Sequence, residues 1–260
     1  MENEKKSKLK FENIVKNYGK KVVINGLQGA IADRAITSLI GPNGAGKSTL
    51  LSILCRLLKQ DRGDVFFDGK GLDRYRSNDL AKHLAILRQS NNTDMKLTVK
   101  DLVAFGRFPH SQGRMTALDW EKVDEALAFS GLTELANSFV DELSGGQRQR
   151  AFLALIIAQD TAYILLDEPL NNLDMKHAVQ VMKTLRRLVD EKGKTVIMVI
   201  HEINFAAQYS DYIMALKNGE ICYHDVTEKV FNVPILEDIF GINFEIIQHN
   251  GKKICNYFNI

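Results

Sequence analysis

Ile36-Thr37-Ser38-Leu39-Ile40-Gly41-Pro42-Asn43-Gly44-Ala45-Gly46-Lys47-Ser48-Thr49 is a short apolar run that opens onto a glycine-rich loop. The first five residues have the composition of a buried strand, and Gly41 to Ser48 fit the pattern GxxxxGK(S/T). Its glycines let backbone N–H groups wrap phosphate oxygens with no Cβ in the way, at a helix N-terminus that favours anions. Lys47 is placed to meet the β- and γ-phosphates, and the Ser48 hydroxyl to hold a magnesium ion. Beyond the loop, Leu50, Ile53, Leu54, Leu57 and Leu58 recur at three- and four-residue spacing, which predicts an amphipathic helix with one buried face. The loop alone leaves kinases, GTPases and ATPases open.

Working outward, residues 9–40 alternate apolar and polar positions around turn signals. From about Gln89 to Ala158 the pattern turns helical, which predicts a helical subdomain inserted into the α/β core. Tyr163 to Leu166 and Thr195 to Ile200 are nearly all apolar, as parallel strands covered on both faces are. Near the C-terminus, Asn218-Gly219 between two apolar stretches predicts a hairpin.

Two further stretches carry chemistry. Tyr163-Ile164-Leu165-Leu166-Asp167-Glu168-Pro169 puts two carboxylates at the end of a buried strand, where ligands of open α/β sheets bind. Asp167 is the expected magnesium holder, through water, and Glu168 the group that orients or deprotonates an attacking water. Leu143-Ser144-Gly145-Gly146-Gln147 precedes Arg148-Gln149-Arg150 and a helix. There Ser144 can cap the helix while the glycines expose N–H groups, making a second anion site.

Taken together, these motifs resemble the ABC ATPase family, from about Leu9 to the C-terminal hairpin. Gly41 to Thr49 match Walker A, Ser144, Gly145, Gly146 and Gln147 fall in the signature, and Asp167 and Glu168 match Walker B and its catalytic glutamate. The resemblance further implies that Tyr18 stacks on adenine and that Gln89 touches magnesium and the membrane partner. It implies too that Asn171-Asn172-Leu173-Asp174 is the D-loop and that His201 contacts the γ-phosphate. One departure is Arg34, where the family commonly has a turn glycine. The implied fold is an α/β P-loop NTPase core with a mixed, mainly parallel central sheet, an antiparallel β subdomain and an inserted helical subdomain, about 89–160, carrying the signature. Residues 1–8 are expected to be a flexible tail and 9–260 a single domain. The implied assembly is a head-to-tail homodimer in which ATP on one chain is completed by Ser144 to Gln147 of the other, docked on integral-membrane permease subunits and served indirectly by a substrate-binding protein. Leu97-Thr98-Val99 to Leu102, Phe105-Gly106-Arg107-Phe108-Pro109-His110 and Leu170 to Asp174 resemble the subgroup importing ferric siderophores, haem and cobalamin, Gly106 to Ser111 being the most specific to it. A ferric siderophore is the expected cargo; an exporter ATPase or an importer of haem or cobalamin is the alternative.

Bulk composition agrees with such a motor. Of 260 residues 45% are hydrophobic, and 34 Lys+Arg against 32 Asp+Glu leave a net charge of +2, which is not the balance of a nucleic-acid binder. The longest apolar runs, such as Ala151 to Ala158, are far short of the roughly 20 residues that span a bilayer. Three scattered cysteines with no metal spacing read as reduced thiols. The expected location is the cytoplasmic face of the bacterial cell membrane, bound peripherally.

Overall fold

The computed structural model describes residues 7–88 and 96–258. Strands β1 (Leu9–Tyr18) and β2 (Lys21–Ile31) lead to β3 (Ile36–Ile40), helix α1 (Lys47–Leu54), β4 (Arg62–Phe67) and β5 (Lys70–Gly71). Then come α2 (Ser77–Leu80), β6 (Leu84–Leu87), α3 (Val99–Phe105), α4 (Phe108–Ser111), α5 (Ala117–Phe129) and α6 (Gly145–Ala158). The chain continues through β7 (Tyr163–Asp167), α7 (Met175–Lys192), β8 (Thr195–Val199), α8 (Ile203–Tyr209) and the hairpin β9 (Tyr212–Lys217) and β10 (Glu220–Val226). It ends in α9 (Thr227–Val230), α10 (Val233–Phe240), β11 (Glu245–His249) and β12 (Lys252–Asn256). The fold is α/β, and it divides into two compact units, residues 1–75 with 195–260, and residues 76–194. The inserted segment read as 89–160 falls inside the second unit. Of the expected tail, Ser7 and Lys8 are described; the Lys8 N–H donates to Asp33 at 3.2 Å, and the rest lies outside the described residues.

In the first unit, β3 pairs in parallel with β8 and β9, and β9 pairs antiparallel with β10. Every residue of β3 and β8 is buried, Thr37, Ser38 and Thr195 included, which is why both are largely apolar and neither alternates. The turn between β9 and β10 has Asn218 and Gly219 at positive φ, 52° and 79°, as a tight hairpin requires. A separate antiparallel sheet, in the order β2-β1-β4-β5, carries the alternating N-terminal pattern. Arg34 sits in the turn before β3 at φ 54°, so this position does demand the left-handed backbone that glycine adopts freely. Its N–H is held by Thr195 Oγ1 at 2.8 Å. The helix after the loop is shorter than its periodicity predicts: α1 ends at Leu54, Arg56 turns to φ 61°, and Leu57 is exposed rather than on the buried face.

In the second unit, β6 and β7 are parallel, and α3, α5 and α6 pack together. Gly106 meets α6 so closely that a Cβ there would lie 2.1 Å from the Leu155 carbonyl oxygen. Next to it, buried Arg107 donates to Asp119 Oδ1 at 3.0 Å and to the Ala158 carbonyl at 2.8 Å, and His110 Nε2 bonds the Gln159 carbonyl at 3.0 Å. The Gly106-Arg107-Phe108-Pro109-His110 segment therefore caps the C-terminal end of α6, where carbonyls lack helical partners and cations are favoured. Helix α7 buries Val181, Met182, Leu185 and Leu188 on one stripe and pairs Arg186–Asp190 and Arg187–Glu191 one turn apart on the other. Among the described residues no helix is long and apolar enough to cross a membrane.

Candidate functional site

Strand β3 delivers Gly41 to the carboxyl end of its sheet, and the loop there is shaped by close packing. Gly41 has φ 135°, and a Cβ on it would lie 2.0 Å from the Leu216 carbonyl oxygen. Gly46, at φ 101°, is the N-cap of α1 and offers no side chain to cap it. A glycine lead into a helix start is the arrangement that receives a phosphate. Lys47 is only 5% exposed and curls back over the loop, where Nζ donates to the Gly41 carbonyl at 2.8 Å and the Pro42 carbonyl at 2.9 Å. An ammonium so placed is a charge already gathered at the cradle's mouth. The neighbouring parallel strand β8 ends at Val199, paired with Leu39, and His201 follows it, exposed, at the same carboxyl end. Tyr18 closes β1 in the antiparallel β2-β1-β4-β5 sheet; the residue is 53% exposed, with Lys16 Nζ 5.9 Å from the ring centroid.

The second unit holds the acidic and signature residues. Asp167 ends β7, and Glu168 follows at φ 52°, an uncommon backbone for a residue with a side chain. Such strain, held by the surroundings, concentrates at functional positions. Its carboxylate accepts a hydrogen bond from the Asn171 amide, and the Asn171 N–H donates to the Glu168 carbonyl at 3.2 Å. Asn171 was read only as part of a motif; its i+3 spacing from Glu168 is the signal that could have singled it out. Ser144 is the N-cap of α6 in a reciprocal capping box: its hydroxyl accepts from the Gln147 N–H at 3.4 Å, and Gln147 Oε1 accepts from the Ser144 N–H at 2.9 Å. Ser144 and Gly145 are exposed, whereas Gly146 is buried.

Asp174 caps α7, its Oδ1 taking the His177 N–H at 2.8 Å and lying 2.8 Å from His177 Nδ1. These bonds, the backbone one first, hold the Asp174 carboxyl below the usual carboxylate range. His177 carried no signal in the sequence, because nothing local reveals that it reaches the signature helix.

Each unit therefore gathers its own part of the predicted set: Gly41 to Thr49 with His201 in one, Glu168 with Asn171 and Gly146 with Asp174 in the other. Tyr18 stands on a different sheet from the cradle, and Gln89 lies outside the described residues. Among the described residues no group of three or more His, Cys, Asp or Glu could hold a metal by itself.

The sequence matches the ABC transporter family over residues 24–171. It is 51% identical over 251 residues to petrobactin import ATP-binding protein YclP of Bacillus subtilis (strain 168), covering 96% of this chain and 100% of that protein. It is 40% identical over 243 residues to ferric enterobactin transport ATP-binding protein FepC of Escherichia coli (strain K12), covering 93% of this chain and 90% of that one. The dimeric structure of MJ0796, a bacterial ABC transporter cassette, superposes with a TM-score of 0.74 at 30% identity, over 84% of this chain and 98% of that chain.

Proposed function

The chain belongs to the ABC transporter family, and from that premise we propose that it is the ATP-hydrolysing subunit of an importer that passes a ferric siderophore through membrane permease subunits into a bacterial cell. The observation that carries the cargo is the 51% identity, end to end, with a protein named for petrobactin import. That both relatives are named for uptake or transport of such chelates favours import over export. The subunit works as a head-to-tail homodimer docked on the cytoplasmic face of the permeases and fed by a substrate-binding protein; the dimeric cassette of similar fold supports the pairing of two chains.

In this reading the triphosphate enters the Gly41 to Thr49 cradle, where α1 N–H groups and the Lys47 ammonium meet its β- and γ-oxygens, and adenine stacks on the open Tyr18 ring. Ser48 and Asp167, a hydroxyl and a carboxylate, are hard oxygen donors that suit Mg²⁺, which keeps waters and leans on substrate phosphates rather than on a full protein cage. Held by these oxygens, the ion would supply positive charge to offset that of the phosphates. Glu168, its carboxylate steadied by Asn171, orients the attacking water and takes its proton. His201 holds the γ-phosphate. The Ser144 to Gln147 tip and Asp174 of the second copy close the site. One cradle leaves phosphate charge uncompensated, so ATP joins the two chains and hydrolysis frees them.

The test is uptake of iron-labelled petrobactin by a deletion strain. Loss of uptake, restored by the wild-type chain and not by Glu168→Gln, is the expected outcome. Undiminished uptake in the deletion strain would remove the cargo assignment.

A further inference from the structure

His177 links two segments that the sequence treats as separate motifs. It is the third residue of α7, and both its backbone N–H and its ring Nδ1 sit 2.8 Å from the same oxygen of Asp174, which fixes the ring's rotation. With Asp174 ionised, Nδ1 is the donor. The ring is thereby laid on the start of α6: a Cβ at Gly146 would be 2.2 Å from His177 Cγ, 2.4 Å from Cδ2 and 2.6 Å from Nδ1. These are the inner atoms of the ring, which cannot swing aside as the end of a long side chain could. Gly146 is therefore required to be glycine by His177, independently of any phosphate. A second tie runs alongside, from Gln149 Nε2 to the Pro169 carbonyl at 3.0 Å. The His177 side chain is 21% exposed while that of Asp174 is 64% exposed, so the histidine lies inside the junction and Asp174 on its rim.

We propose that His177 is a positioning residue for ATP hydrolysis: seated flat on Gly146 and bonded to Asp174, it locks the signature tip and the D-loop aspartate into one piece, so that both meet the partner's nucleotide together. This rests on the two-chain reading above. A residue that only capped α7 would touch stability and leave the kinetics alone.

The experiment uses the full chain in wild-type and Glu168→Gln backgrounds. His177→Ala should bind a fluorescent ATP analogue as a single subunit within about twofold of wild type, yet lose about tenfold in kcat, and in the Glu168→Gln background need about tenfold more protein to dimerise with ATP. His177→Asn, whose side-chain amide can donate from the position of Nδ1, should restore most of both. In thermal unfolding without nucleotide, Gly146→Ala should lower Tm strongly in the wild type and little alongside His177→Ala, where the methyl takes the vacated space. Equal dimerisation with and without His177, equal kinetics for the Ala and Asn variants, or the same Tm loss in both backgrounds would each overturn the assignment. A Glu168→Gln chain that stays single with ATP would instead bring down the two-chain reading itself, and this inference with it.

Discussion

The cradle at Gly41 to Thr49 and the tip at Leu143 to Gln147 are both glycine-rich leads into a helix N-terminus, and they are built in opposite ways. The cradle is tied into its own unit: Gly41 lies against the Leu216 backbone, Gly46 leaves α1 without a side-chain cap, and Lys47 is folded inward at 5% exposure. The tip is capped by its own Ser144 and Gln147, and its leading residues are exposed. A helix start led in by a glycine and a lysine gathered beside it make a receptor formed before its ligand arrives. A capped, exposed end is a surface whose anion comes from elsewhere, which is the physical case for a site shared between two chains.

Several measurements can break or sharpen this contrast. The largest effect is expected for Glu168→Gln, which should retain nucleotide binding while kcat falls about a thousandfold, as the loss of a general base does; turnover near wild type would displace Glu168 from the chemistry. Gly41→Ala should cost about 3 kcal/mol or more of stability in a denaturant melt, because a strained φ and a backbone clash coincide there. Lys47→Ala should weaken nucleotide binding by the isolated subunit about a hundredfold, the worth of charge-assisted bonds to phosphate. Ser144→Arg should leave that binding unchanged and still abolish turnover, and a shared loss of affinity in the two variants would erase the distinction between cradle and tip. Gly145→Ala should shift stability by no more than about 0.5 kcal/mol, since a Cβ there meets nothing within 4 Å. The smallest effect is expected for Arg34→Gly, within about 1 kcal/mol, because glycine relieves the left-handed backbone while loosening the unfolded chain.

Strands β3, β7 and β8 were legible because burial on both faces leaves no alternation, and the loop at Gly41 because so few residue types can wrap a phosphate. Helix α1 stops short of its periodicity: leucines at helical spacing continue to Leu58, but Arg56 reverses the backbone and Leu57 is exposed. Periodicity reports which side chains are apolar and carries no information on where a helix is stopped. The subgroup phrase around Arg107 was visible as a pattern without a purpose, and its purpose is long-range: Arg107 bonds Ala158 on another helix.

By itself the sequence determined the family, since a phosphate-wrapping loop, a pair of carboxylates closing an apolar strand and a serine-glycine lead into a helix are each spelled by a few neighbouring residues. Tertiary structure alone decided which of those motifs act as one object: that His177 rests on Gly146, that Asn171 turns back onto Glu168, and that Arg107 closes the far end of α6. Contacts of this kind depend on helix and loop placement across many residues, and no local pattern encodes a distance between elements.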